Sequence, residues 1–95
     1  MDCTNLSISG HALRRMFERG IPPASVQTGV AGGEVIAEYP EDRPFPSVLL
    51  LGFVDGEPLH VIVARDPAGA CVIVTAYRPD PALWSDDFRA RRTRS

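Results

Sequence analysis

The spacing of apolar and polar positions changes twice along the chain, and those changes mark its elements. From Ser9 to Gly20 the spacing is helical. At about 100° per residue, Ala12, Leu13, Met16 and Phe17 fall on one side, and His11, Arg14, Arg15, Glu18 and Arg19 on the other. Ser9 is a suitable N-cap acceptor, and Gly20 suits the left-handed turn that ends a helix. Ahead of it, residues 1–8 carry only Leu6 and Ile8 as a pattern, which predicts an extended lead-in or short strand. Residues 21–33 predict a second, shorter helix. Proline is tolerated in its first turn, Val26 and Val30 form a stripe, and Gly32-Gly33 stops it, although Gly29 weakens it.

Beyond Gly33 the pattern becomes strand-like. Glu34–Tyr39 predicts a first strand, and the three prolines between Pro40 and Pro46 force a loop. Ser47–Val54 is apolar on both faces and predicts a central or doubly covered strand. Asp55-Gly56 is a hairpin turn leading into a strand over Leu59–Arg65. After Asp66–Ala70, Cys71–Tyr77 predicts a fourth strand. Pro79 and Pro81 stop it, and residues 82–88 predict a helical turn that lays Trp84 and Phe88 on the sheet edge. The expected architecture is α+β: two N-terminal helices on one face of a four-stranded, mainly antiparallel sheet, with a short C-terminal helical turn. It is a single domain over residues 1–95. The lead-in covers 1–8, the helices lie within 9–31, the sheet within 34–78, and a turn with a frayed arginine-rich tail fills 79–95.

Composition refines this picture without redirecting it. Apolar residues make up 44% of the 95-residue chain, enough for one compact core near the lower size limit for independent folding. No apolar run approaches the roughly 20 residues of a membrane span, and the N-terminus lacks the basic-then-apolar order of a secretory leader. A soluble cytoplasmic protein without membrane association is therefore expected. Cys3 and Cys71 are expected to be a free terminal thiol and a small core residue, with a disulfide the less favoured arrangement. Neither a metal site nor a cofactor is predicted. There is no phosphate-binding glycine loop, no His-Glu-x-x-His, no Gly-x-Ser-x-Gly, and no paired carboxylate spacing.

The net charge is −2, and all ten basic residues are arginine. Three lie on the first predicted helix and four near the C-terminus, so a local anion-binding surface is compatible with a mildly acidic whole. On that helix His11 sits one turn from Arg15, with Arg14 and Glu18 close by. This places a proton donor or acceptor beside fixed positive charge, although a solvated surface histidine explains it equally simply. Glu18 is expected to pair with Arg14, leaving Arg15 and Arg19 available. His60 points away from Leu59, Val61 and Val63, either as a catalytic group or as a hydrogen-bonded core histidine. Thr75 and Tyr77 share a face of the fourth strand, and register decides whether they meet His60. Arg43 stands in the proline-stiffened loop beside Glu41 and Asp42, over a pocket or paired with an acid.

His11-Ala-Leu-Arg-Arg-Met-Phe-Glu-Arg-Gly-Ile21, Val35-Ile36, Tyr39-Pro40, Pro58-Leu-His-Val61 and Thr75-Ala-Tyr-Arg-Pro79 occur in the order that resembles the family catalogued as domain of unknown function number 4258. The helix-then-sheet order of that family is similar to small ribonucleases of the barnase, RelE and colicin type. The resemblance implies a metal-independent ribonuclease of toxin–antitoxin type, acting on mRNA or tRNA and held by a cognate antitoxin. Such cleavage needs a base for the 2′-hydroxyl, an acid for the leaving oxygen, and cations for the phosphorane charge. On this expectation His11 and His60 move protons, and Arg15 joins Thr75 or Tyr77 in the catalytic set. Arg14, Arg19 and Arg43 bind substrate. The competing expectation is a non-catalytic module whose arginine-rich helix face docks a protein or nucleic acid.

Overall fold

The computed structural model describes residues 1–93. A short strand β1 (Asn5–Ile8) leads into helices α1 (Gly10–Glu18) and α2 (Pro23–Ala31). Strands β2 (Glu34–Tyr39), β3 (Ser47–Val54), β4 (Glu57–Arg65) and β5 (Ala70–Tyr77) follow. The Ser9 hydroxyl accepts from the Ala12 amide and caps α1 as its position predicts. Asp55 and Gly56 both take positive φ, 52° and 80°, which is the two-residue turn that an Asp-Gly pair favours between antiparallel strands.

The sheet has five strands in the order β1-β5-β4-β3-β2. The four-stranded expectation is corrected by the lead-in: β1 pairs in parallel with β5, Leu6 facing Cys71 and Ile8 facing Ile73. Four residues with two apolar positions carry too little pattern to be identified alone, and the pairing depends on a partner more than sixty residues away. This pairing also overturns the reading of the cysteines, because it brings the N-terminus beside β5. The Thr4 amide donates to the Gly69 carbonyl, and Cys3 and Cys71 form a disulfide. No helix among the described residues is long and apolar enough to cross a membrane.

Both helices lie on one face. Ala12 and Met16 of α1, together with Ile21, Val26 and Val30, pack on Leu50, Leu59, Val61, Val63, Cys71, Ile73 and Ala76 to form the main core. The four-residue apolar stripe of α1 is only half used, since Leu13 is 49% exposed and Phe17 87% exposed. Between α2 and β3 the backbones almost touch, with Gly29 lying against Gly52.

The expected helical turn over 82–88 is displaced to the start of the segment, where the Leu83 and Trp84 amides both donate to the Asp80 carbonyl, and it lays Trp84 on the sheet against His60. From there residues 83–92 fold back on themselves. Ser85 and Arg92 amides donate to the Ala90 and Leu83 carbonyls, and Trp84 faces Arg91 in an isolated bridge. The frayed tail is corrected as far as Arg92. Arg89 reaches both oxygens of Glu34, Arg92 binds Asp86, and the Arg91 guanidinium lies 5.6 Å from the Trp84 ring centre. Arg94 and Ser95, the last part of the expected tail, lie outside the described residues.

Candidate functional site

The sheet face opposite the helices gathers most of the chemically active groups. Register places Glu34, Leu51, His60 and Tyr77 in one row across β2, β3, β4 and β5. Strict alternation from Cys71 and Ile73, which face the helices, would turn Thr75 and Tyr77 toward the core. A β-bulge at Val74 adds one residue to β5, so Thr75 pairs with Ile62 and Tyr77 with His60 on the open face. Ala76 takes the buried place beneath α1.

His60 is fully buried under the C-terminal segment, its ring 4.4 Å from that of Trp84 and edge-on to it. Its Nε2 lies 2.9 Å from the Phe88 carbonyl oxygen, which accepts only, so Nε2 carries the proton. Nδ1 is then the acceptor for the Tyr77 hydroxyl at 3.3 Å. Burial holds the imidazole below its usual pKa, outweighing the Phe88 contact that favours the charged form. His60 is therefore a neutral, doubly hydrogen-bonded histidine sealed from solvent. Its folded pKa is depressed, so as pH falls the unfolded chain takes up its proton first. Stability should therefore decline from about pH 6.5, the ordinary imidazole value, until the folded histidine itself titrates. Urea midpoints measured from pH 8 to pH 5 should show this slope in the wild type and lose it in His60→Gln. Equal slopes in the two proteins would refute the assignment.

Tyr77 is half-buried. Its phenol pKa is pushed up by burial first and by the neighbouring Tyr39, while Arg91 and Arg19 pull it down. Arg19 belongs to the C-cap of α1 but reaches past the end of β1. Its guanidinium donates to the Ala76 carbonyl at 2.8 Å and to the Thr75 hydroxyl at 3.3 Å. It thus covers the stretch of β5 edge that β1 is too short to pair. Arg78 fixes this junction by donating to the Arg19 and Gly20 carbonyls.

The other sequence-selected residues lie apart from this cluster. His11, Arg14 and Arg15 are exposed on α1, across the sheet from His60. The pairing within α1 is also corrected: Arg15, three residues from Glu18, binds it at 3.2 Å, whereas Arg14 does not. Arg43 lines a separate cavity at the proline-rich loop, on the same open face. Two contributors were missed from the sequence. Arg91 enters through the folded-back tail and sits in no local motif, whereas Tyr39 belongs to the Tyr39-Pro40 motif, and only the pairing of the bulge-containing strand β2 brings it toward Tyr77. Among the described residues, Arg14, Arg19, Arg43, Arg65 and Arg91 have no carboxylate at ion-pairing distance, whereas Arg15, Arg78, Arg89 and Arg92 do. No group of three or more His, Cys, Asp or Glu among those residues is arranged to hold a metal ion.

Two helices over one face of a mixed five-stranded sheet, with the Thr75 and Tyr77 hydroxyls on the other and the Arg19 guanidinium at the β5 edge between the two faces, define a small α+β domain with a polar candidate site. The family model described as Domain of unknown function (DUF4258) matches residues 8–78, and the chain belongs to that family. No curated protein and no solved structure matches it.

Proposed function

We propose that the protein is an RNA-directed domain of toxin type that engages an RNA backbone on the open sheet face. The observation that carries this reading is the Arg19, Thr75, Tyr77 and Arg91 cluster. Arg19 donates to the Thr75 hydroxyl, and Arg91, seated over the Trp84 ring, is near enough to Tyr77 on the same strand as Thr75 to draw its phenol pKa down. Neither arginine has a carboxylate partner among the described residues. Guanidinium groups suit phosphate oxygens, and tyrosine adds a surface for stacking. Net charge of −2 keeps the affinity modest, and the salt dependence follows the few phosphate contacts that these arginines make. Arg19→Ala and Arg91→Ala should each weaken binding of labelled single-stranded RNA by about three- to tenfold, roughly 1 kcal/mol per lost solvent-screened ion pair, and should flatten the salt dependence. Unchanged affinity and slope in both variants would remove the cluster from the interface.

Binding is favoured over cleavage by two histidines. His11 and His60 are separated by the sheet, and His60 has both ring nitrogens occupied. A metal-independent ribonuclease remains the second reading, because Thr75 and Tyr77 stand next to cations suited to phosphorane charge. Incubating RNA with the protein in EDTA separates the two readings. Products ending in a 2′,3′-cyclic phosphate, lost in Arg19→Ala and kept in His11→Ala, would establish cleavage at this cluster. A cognate antitoxin belongs to either reading. Its test is growth arrest on induced expression, relieved by co-expression of a neighbouring gene.

A further inference from the structure

Beneath the proline-rich loop the open face forms a cavity of about 200 Å³. Ala64 and Val72, paired across β4 and β5, contribute to it together with Val74, Pro44 and Phe45. The Phe45 and Val74 side chains remain 37% and 39% exposed. Apolar walls with an accessible aromatic ring suit a flat, weakly hydrated guest. The polar groups at this cavity narrow the choice. Arg43 carries a charge that no carboxylate among the described residues pairs. Asp42 accepts from the Ser47 hydroxyl through one carboxylate oxygen, leaving the other as an acceptor. Val74 is followed directly by Thr75, the residue Arg19 holds, so the cavity adjoins the cation cluster along β5.

We infer that this cavity takes one unpaired nucleobase of the RNA, an inference that rests on the RNA reading above and adds a subsite to it. The base stacks on Phe45, with the flanking phosphates between Arg43 on one side and Arg19 on the other. The free Asp42 oxygen accepts from an exocyclic amine, which adenine, cytosine and guanine carry and uracil lacks. Uracil offers the carboxylate only its single ring N–H, so the subsite favours amine-bearing bases such as adenine and cytosine over uracil.

The test is fluorescence anisotropy with labelled oligo(A), oligo(C) and oligo(U) on the intact protein, with circular dichroism to confirm that each variant is folded. Wild type should bind oligo(A) and oligo(C) more tightly than oligo(U). Phe45→Ala should weaken oligo(A) binding by about tenfold, the scale of one lost base–aromatic stack, and Phe45→Tyr should restore it. Asp42→Ala should erase the preference over oligo(U). If Phe45→Ala binds all three as the wild type does while Arg19→Ala weakens them, the base subsite is wrong and the RNA interface stands. If the wild-type protein binds none of them, both fall together.

Discussion

Reduction of the Cys3–Cys71 disulfide is expected to lower the unfolding free energy by about 4 kcal/mol, the chain-entropy value for a loop closed across 68 residues of sequence. That is a large part of the 5–15 kcal/mol or so that holds a typical domain folded. The bond ties the lead-in to β5 and supplements a noncovalent attachment made by the four paired residues of β1, hydrogen bonds from Thr4 to Gly69 and Ala68, and the packing of Met1, Leu6 and Ile8 against the core. Urea unfolding with and without a phosphine reductant should show a clear drop in midpoint. Amide exchange should accelerate first at Leu6 and Ile8, at the edge of the sheet. Two alkylatable thiols in the native protein before any reductant is added would refute the pairing, and an unchanged midpoint after full reduction would refute its energetic role.

Gly52→Ala should cost about 3 kcal/mol, the upper part of the range for overpacking. A Cβ at that position would lie 2.6 Å from the Gly29 carbonyl oxygen and 2.7 Å from its Cα. Both atoms are backbone in α2, so relief requires moving the helix off the sheet rather than turning a side chain. Gly10→Ala provides the control, since a Cβ there meets nothing within 4 Å and φ is not positive. It should be neutral or slightly stabilising. A chemical-denaturation midpoint for Gly52→Ala within error of wild type would mean that α2 does not pack on β3 this closely.

These two sites also show where sequence reading ends. Gly29 weakens α2 when the helix is considered alone, and its purpose is visible only with Gly52 opposite it. A local propensity was overridden by a close approach between elements distant in the chain. The cysteines follow the same logic. Nothing near Cys3 indicates that a parallel pairing with β5 will set it next to Cys71.

The candidate site divides along similar lines. His60 could be assigned to the face opposite Leu59, Val61 and Val63 from period-two alternation, and it lies there. Whether Thr75 and Tyr77 joined it depended on a single extra residue at Val74, and a bulge reverses the facing of every residue beyond it. The amphipathicity of α1 gave four inward residues, of which Ala12 and Met16 are buried while Leu13 and Phe17 stay exposed. It could not show that His11 would be separated from His60 by the sheet, or that Arg19 alone among the helix arginines would reach β5.

The sequence by itself determined both helices, the four consecutive strands from Glu34 onward, the Asp55-Gly56 turn and the family. Each of these depends on periodicity, capping or short motifs within a few neighbouring residues. The tertiary structure decided the fifth strand, the disulfide, the facing of Thr75 and Tyr77, and the burial of His60 beneath Trp84 and Phe88. Each of those requires two distant segments to meet, and the free energy of the meeting lies in the shared contact rather than in either segment.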